Sequence, residues 1–187
     1  MAIKTIIIVF FLFLYNLSFA IELGSDTGLK LPRYVSLKSS DSNIRVGPSK
    51  NYPILINYKT SNYPLKVIEE YQDWRHIIDF EDNTGWIHKS LIKGERSGII
   101  RVFNKKKVYV FNSANGKKIG EINSELIVQL PRCKKNWCFI VKDNNKGWVD
   151  KKHIWGVEKD EVYNLGLINM IIDYFYRSFN YIEKHVS

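Results

Sequence analysis

The feature that most constrains the fold is a glycine–tryptophan–aliphatic element that occurs twice, as Gly-Trp-Ile at 85–87 and Gly-Trp-Val at 147–149. Each copy follows another tryptophan in a strand-like run: Trp74 precedes Trp86 by 12 positions, and Trp137 precedes Trp148 by 11. The copies are offset by 62 or 63 residues. A period of this length with short strand-like segments indicates two small β domains, because solenoid repeats are usually shorter. The chain is therefore interpreted as a tandem repeat.

The N-terminus has the composition of an export signal. Lys4 is followed by an apolar run over 5–15, and the segment ends with small residues at Ser18 and Ala20. This pattern predicts a signal peptide over 1–20, cleaved between Ala20 and Ile21. An uncleaved membrane anchor is the alternative, but the apolar run is shorter than the roughly 20 residues that a spanning helix needs. The protein is therefore predicted to be periplasmic or secreted.

The chain is basic, with a formal net charge of +9 that falls to +8 (9 − 1) once Lys4 is removed with the signal peptide. Such a balance raises the question of nucleic acid as a partner. Export removes the chain from cellular nucleic acid, and the basic residues are scattered, with 105–107 the only run of three. We therefore predict a solvated lysine-rich surface and no nucleic-acid partner.

Segments rich in β-branched and aromatic residues alternate with polar turns through most of the chain. They divide it into a leader arm at 21–33, a first domain at 34–93, a linker at 94–98 and a second domain at 99–158. Each domain offers five short strands, the pattern of a small closed barrel. The predicted strands are 34–37, 43–46, 65–71, 74–80 and 84–88, then 99–103, 107–111, 126–130, 137–142 and 147–149.

The hydrophobic period changes near the C-terminus. Asn169, Asp173, Arg177 and Asn180 recur at helical spacing and form a polar stripe on an otherwise apolar segment. This pattern predicts one amphipathic helix over 162–184. The helix is expected to pack on the barrels, with docking to a membrane surface or to a partner as the alternatives.

The residues in order resemble a known family. Segments 31–37 and 43–48 resemble the opening of bacterial SH3-like (SH3b) domains, and segments 74–77 and 85–91 resemble their close. The second copy, with its motifs at 137–140, 147–149 and 154–157, is similar to the second module of exported two-domain SH3 proteins of alphaproteobacterial type. The resemblance covers 31–161. It implies an all-β chain of two tandem SH3-like barrels.

The resemblance also implies a function. SH3-like barrels bind extended peptides in an aromatic groove. The resemblance to exported SH3b domains implies a peptidoglycan stem peptide or an envelope protein as the ligand. The candidate binding residues are Tyr52, Trp74 and Trp86 for contact area and Arg45 for a carboxylate. The second copy does not preserve the loop containing Arg45, so the first barrel is the better candidate. A scaffold that acts through the C-terminal helix is the alternative function.

Cys133 and Cys138 are the only cysteines. Their spacing places them near each other across a hairpin, within reach of a disulfide. Export to an oxidising compartment makes the bond the expected state. A redox-active pair is the rival interpretation, but the five-residue offset is not a Cys-x-x-Cys motif. We predict a structural disulfide.

The sequence contains no motif of a known reaction centre. It has no Gly-x-Ser-x-Gly elbow and no His-Glu-x-x-His helix. Its four histidines, His76, His88, His153 and His185, have no paired ligand spacing. We therefore predict no catalytic residues, no metal site and no cofactor.

Overall fold

The computed structural model describes residues 22–102 and 107–164. These residues form two antiparallel β-sheets and two short 3-10 helices. The predicted signal peptide, its cleavage site between Ala20 and Ile21, and residues 165–184 of the predicted helix lie outside the described residues. The predicted all-β class with two SH3-like barrels is confirmed.

The first sheet has seven strands: β1 (Arg33–Leu37), β2 (Ser42–Arg45), β3 (Ile54–Tyr58), β4 (Pro64–Tyr71), β5 (Trp74–Ile78), β6 (Thr84–His88) and β7 (Ile92–Lys93). Their order in the sheet is β3-β2-β6-β5-β4-β1-β7. Neighbouring strands pair antiparallel throughout. A two-residue turn at 72–73 joins β4 to β5, in agreement with the predicted strands at 65–71 and 74–80.

The second sheet repeats this topology. Its strands are β8 (Ser97–Ile100), β9 (Lys107–Phe111), β10 (Lys118–Asn123), β11 (Ile127–Cys133), β12 (Trp137–Lys142), β13 (Asn145–Asp150) and β14 (Ile154–Trp155). Their order is β10-β9-β13-β12-β11-β8-β14, which is the first order with each label raised by seven. An additional strand, β15 (Tyr163–Asn164), pairs with β11 and has no counterpart among the described residues of the first sheet. The internal duplication therefore extends to the seven strands of the first sheet and to β8–β14 of the second.

Several boundaries differ from the sequence-based expectation. β8 begins at Ser97, inside the predicted linker, and β15 occupies positions at the start of the predicted helix. The prediction of helix from residue 162 is therefore wrong for the first residues of that segment, because Tyr163 pairs with Cys133 on β11. The predicted strands omit all four outer strands of the two sheets, β3, β7, β10 and β14. β7 and β14 have only two residues each, and β3 and β10 have no buried side chain, so no alternation of buried apolar residues marks them.

Each sheet encloses its own apolar core. The first core consists of Leu31, Val35, Leu37, Ile44, Leu65, Val67, Ile77 and Ile87. The second consists of Ile100, Val108, Val128, Leu130, Cys133, Cys138, Ile140, Val149, Ile154 and Val157. Of the repeated tryptophans, Trp74 is 8% exposed and Trp148 is 6% exposed, and neither joins a core cluster.

Gly85 and Gly147 occupy equivalent positions in the two barrels, and in both positions neighbouring atoms leave no room for a side chain. A Cβ on Gly85 would lie 2.5 Å from Ile44 Cγ2 and 2.9 Å from the carbonyl oxygen of Arg45. A Cβ on Gly147 would lie 2.3 Å from Val110 Cγ1. The repeated glycine therefore allows β6 to approach β2 closely, and it allows β13 to approach β9 closely.

The leader arm packs on the first barrel around one buried carboxylate. The Glu70 side chain is 0% exposed, and it accepts hydrogen bonds from the backbone N–H groups of Asp26 (3.1 Å) and Thr27 (2.9 Å). Arg33 Nη2 donates to the same carboxylate at 2.6 Å. Burial acts to raise the pKa of the Glu70 carboxyl, but the hydrogen bonds from Thr27 and Arg33 outweigh it and lower this pKa to about 2. Glu70 thus holds the arm against β4 as an anion.

The two barrels contact each other directly. The buried hydroxyls of Ser36 and Ser97 share a hydrogen bond at 2.5 Å. The ring of Tyr34 packs edge-on against Trp155, with 5.2 Å between ring centroids. Lys66 Nζ lies 2.8 Å from Glu158 Oε1 across the same boundary. The interface therefore combines an aromatic contact with polar pairs.

Candidate ligand-binding groove on the first barrel

An open groove of about 700 Å³ lies on the first barrel between two chain segments. One segment is the loop at 46–53, which joins β2 to β3, and the other is the tight turn at 72–73. Ring-bearing side chains from both segments and from the end of β6 line it, namely Tyr52, Tyr71, Trp74 and His88. The groove is therefore open to solvent and has ring-bearing side chains on both of its walls.

The loop wall is fixed by its own hydrogen bonds. Arg45 Nη1 donates to the carbonyl oxygen of Tyr52 at 2.7 Å, and the Val46 N–H donates to the carbonyl of Pro53 at 3.1 Å. The Tyr52 ring lies so close to Gly47 that a Cβ there would be 2.7 Å from ring atoms. Gly47 is thus needed for the close approach of this ring, and its backbone has no positive φ. The loop presents Tyr52, which is 46% exposed, in one defined position.

The opposite wall is built by strand register. Trp74 pairs with Tyr71 on β4 and with His88 on β6, so the three side chains share one face of the sheet. The Trp74 and His88 rings meet edge-on at 5.4 Å. His88 Nδ1 lies 2.7 Å from the hydroxyl of Ser90. Tyr71 is 51% exposed at the outer end of this wall and is accessible to a ligand.

Of the four predicted binding residues, the structure brings Tyr52 and Trp74 together in the groove. Arg45 lies behind the loop, where it holds the Tyr52 carbonyl, and it does not line the groove. Trp86 stacks on His76, with 4.8 Å between ring centroids, and also lies outside it.

Tyr71 and His88 are groove residues that the sequence-based prediction lacks. The hairpin turn at 72–73 carries the signal for them, since the pairing that it sets places a residue of β4 and a residue of β6 beside Trp74.

The second barrel differs at the positions that correspond to the groove. Trp137 takes the position of Trp74, and it pairs with Asp150 on β13, whereas Trp74 pairs with His88 on β6. The Trp137 ring meets the Phe111 ring edge-on, with 5.1 Å between ring centroids. The connection from β9 to β10 is also shorter, at 112–117. The set of ring-bearing side chains that lines the groove of the first barrel is therefore not repeated at these positions.

The predicted disulfide is confirmed. Cys133 and Cys138 are directly opposed on β11 and β12, with 4.1 Å between their Cα atoms. Both are buried in the second core, at 1% and 0% exposure. The bond therefore fastens the β11–β12 hairpin from inside the barrel and is remote from solvent, as a structural disulfide requires.

The structure offers few sites for other chemistry. Within 22–102 and 107–164, no group of three or more His, Cys, Asp or Glu side chains is arranged to hold a metal ion. In the same part of the chain, no helix has the length and apolarity that a membrane crossing demands.

Two successive small barrels of seven-strand topology, the first with an aromatic groove beside its β2–β3 loop, define a tandem SH3-like protein. The family model described as "Bacterial SH3 domain" matches residues 38–94 and 113–156, more than half of the 187 residues. The chain belongs to this family. The two matched segments fall on the two sheets, one on each. The alphaproteobacterial type stays a prediction.

Solved structures with similarity to the chain include three described as NlpC proteins. An NlpC/P60 family protein from Bacillus cereus is 11% identical, with a TM-score of 0.29 over 67% of this chain and 56% of its own. NlpC2 from Trichomonas vaginalis is 9% identical, with a TM-score of 0.29 over 67% and 48%. NlpC1 from Trichomonas vaginalis is 11% identical, with a TM-score of 0.30 over 74% and 50%. The chain thus spans about half the length of these structures. No curated protein matches its sequence.

Proposed function

We propose that this protein is a non-enzymatic, exported binding module that recognises an extended peptide of the cell envelope through the groove of its first barrel. The peptide is either a peptidoglycan stem peptide or a segment of an envelope protein. The observation that carries the proposal is the open groove with Tyr52, Tyr71, Trp74 and His88 on its two walls.

The shape of the groove supports an extended ligand. Its volume of about 700 Å³ is in the range of peptide and small-molecule sites, and it is open along the barrel surface instead of closed. Tyrosine and tryptophan supply contact area at a low cost in side-chain entropy, since each has only two side-chain torsions. An extended chain likewise has little conformational freedom left to lose on binding.

The polar groups of the groove support a ligand with backbone amides and charged side chains. Lys50 and Asp73 stand at its rim beside the aromatic walls. Asp73 is held by Lys89, with 2.7 Å between Oδ1 and Nζ. Tyr52 and Tyr71 carry hydroxyls that both donate and accept hydrogen bonds. Such a surface fits a peptide better than a purely apolar ligand.

The test compares alanine variants of matched tyrosines. Tyr52→Ala and Tyr71→Ala remove exposed rings from the groove, whereas Tyr109→Ala removes a ring of similar exposure (48%) from the second barrel. Binding of each purified protein to isolated sacculi is measured by sedimentation, with free stem peptide as the competitor. We expect the groove variants to bind about tenfold more weakly, the effect of losing an aromatic contact of about 1–2 kcal/mol. Unchanged binding by both would refute the proposal.

The same binding assay distinguishes the groove from the alternative function, a scaffold that acts through the C-terminal segment. A variant that lacks residues 165–187 retains every residue of the groove. Full sacculus or envelope-peptide binding by this variant supports the groove. Loss of all partner capture by the folded variant, with the groove variants unaffected, would favour a scaffold that acts through the C-terminal segment.

A further inference from the structure

A second cavity, of about 510 Å³, lies where the first barrel, the linker and β15 meet. The leader arm contributes Leu29 to its edge, β1 contributes Tyr34 and Val35, and β15 contributes Tyr163. Its exposed lining is mainly apolar, which suits the body of a small organic group. We refer to it as the inter-barrel cavity. It is distinct from the aromatic groove, with the Asp73–Lys89 ion pair between the two.

The charged residues that line the inter-barrel cavity are nearly all basic. Among them Glu161 is the acidic residue, and the carboxylates that pair with the other bases, such as Glu70 and Asp73, do not line it. Each basic lining residue also pairs with a carboxylate, so the cavity holds no excess of unpaired positive charge, and its preference for an anion depends on the individual N–H donors that remain without a partner in the described part of the chain. The basic lining residues are Arg33, Arg75, Lys89, Lys93 and Arg96.

Two buried donors on these residues have no hydrogen-bond partner within the described ranges. They are Arg33 Nη1 and Arg96 Nε. Another nitrogen of each guanidinium already donates to a fixed acid: Arg33 Nη2 donates to Glu70 at 2.6 Å, and Arg96 Nη2 donates to Glu161 Oε2 at 3.0 Å. A buried donor without a partner is costly, so these two N–H groups are suited to receive an acceptor from a ligand.

The surrounding structure holds both guanidinium groups in place. Arg96 lies over the rings of Tyr34 (5.7 Å) and Tyr163 (5.0 Å), and its Nη2 also donates to the carbonyl of Gly156 at 2.8 Å. Arg33 is fixed by the buried Glu70. A ligand that binds here would therefore meet donors that are already oriented, which lowers the entropic cost of binding.

We propose that the inter-barrel cavity binds a small carboxylate, either the free C-terminus of a short peptide or a free carboxylic acid with an apolar group. The carboxylate accepts hydrogen bonds from Arg33 and Arg96, and the apolar part contacts Tyr34 and Val35. The geometry of a guanidinium matches a carboxylate well. This site does not depend on the function proposed for the aromatic groove.

The probe is N-acetyl-alanyl-alanine, compared with its C-terminal amide, with propionate and with inorganic phosphate. Binding is followed by NMR of the tryptophan indole signals in the purified full chain. Trp155 packs against Tyr34 and reports on the inter-barrel cavity, whereas Trp74 reports on the groove. We expect the acid to shift the Trp155 signal with a dissociation constant of about 1 mM, as a ligand of this size allows. We expect the amide to bind at least about tenfold more weakly, because it lacks the charge.

Two variants and a matched control test the residues. Leu29→Glu places an internal carboxylate at the cavity edge, and Leu23→Glu makes the same change on the same arm outside it; the two leucines are 54% and 59% exposed. Arg33→Lys keeps the positive charge beside Glu70 but removes the free N–H. We expect Leu29→Glu and Arg33→Lys to weaken acid binding about tenfold, with Leu23→Glu and Tyr52→Ala unchanged.

The comparison of ligands and variants identifies the kind of acid that is bound and tests the site itself. Preference for the peptide acid over propionate assigns a peptide terminus, and equal binding assigns a free carboxylic acid. Equal binding of acid and amide, tighter binding of phosphate, or wild-type affinity in both Leu29→Glu and Arg33→Lys would overturn the proposal. A shift of the Trp74 signal without a shift of the Trp155 signal would place the acid in the groove and would overturn it as well.

Discussion

Glu70 offers the sharpest test of how the leader arm is held on the first barrel. Its carboxylate is fully buried and accepts hydrogen bonds from two backbone N–H groups, the Thr27 hydroxyl and Arg33. Arg75 Nε lies 3.4 Å from the same carboxylate. The variant Glu70→Gln retains the shape of the side chain but removes its charge and one acceptor. It therefore isolates the contribution of the ionised form.

The magnitude follows from the pKa. The pKa of this carboxyl falls from 4.5 to about 2 in the folded protein, because its hydrogen bonds outweigh the opposing effect of burial. A change of one in a pKa corresponds to about 1.4 kcal/mol, so the ionised Glu70 contributes at most about 3 kcal/mol to the free energy of unfolding at pH 7. Because the folded-state pKa is the lower one, this contribution is complete above the unfolded-state pKa. It is lost as the pH falls from about 4.5 toward 2.

The assay is urea unfolding of the wild-type protein and of Glu70→Gln at pH 7 and pH 3, followed by tryptophan fluorescence. We expect a difference of about 3 kcal/mol at pH 7 that shrinks to about 1 kcal/mol at pH 3, where most of the stabilisation by the charge is lost. Glu69→Gln is the control, because the neighbouring Glu69 side chain is 60% exposed and forms only a surface pair with His76. It should change stability by less than about 1 kcal/mol. If the difference in the free energy of unfolding between the wild-type protein and Glu70→Gln is the same at both pH values, the reasoning is refuted.

Three further changes test the packing. Gly85→Ala should lower the free energy of unfolding by about 1–3 kcal/mol in chemical denaturation, because the added Cβ would meet the backbone of β2. Gly94→Ala, which has open space around the added Cβ, should lower it far less. Equal losses in the two variants would contradict the close approach of β6 and β2 as the reason for Gly85. Replacing Cys133 and Cys138 with alanine should lower the free energy of unfolding by about 2 kcal/mol, the value for a short closed loop, and reduction of the wild-type protein should match it. Trp155→Ala removes aromatic contacts between the barrels and should split one calorimetric transition into two; a single unchanged transition would show that the contact does not couple them.

Much of the fold can be read from the sequence because its signals are local. The buried strands β4, β5 and β6 carry β-branched and aromatic residues between polar turns, and each predicted strand lies within two residues of the observed bounds. β3 and β10 are absent from the prediction, and as outer strands they have one neighbour each and no buried side chain, so an alternation of buried and exposed residues does not mark them. β3 nevertheless carries residues of high β propensity, Ile54, Ile56 and Tyr58, and this signal favours a strand there.

The candidate site is only partly accessible from the sequence. Residue type is enough to predict Tyr52 and Trp74, and they face one groove. Arg45 has the expected chemistry for a ligand, but in the structure its guanidinium binds the Tyr52 carbonyl. Tyr71 and His88 join the groove only through the strand register, which fixes the residues that stand beside Trp74. Residue type therefore identifies candidates, and pairing decides which of them meet.

The sequence by itself determined the duplication, the all-β class and the cysteine pairing, because each depends on contacts between residues close together in the chain or on a repeated pattern. Only the tertiary structure decided where the barrels meet. Ser36 and Ser97 are 61 positions apart, yet their hydroxyls share a hydrogen bond across the boundary between the barrels. A contact between residues so far apart in the chain leaves no periodic pattern in the sequence. The inter-barrel cavity and its unpaired guanidinium donors exist because two separate cores are packed together at that boundary.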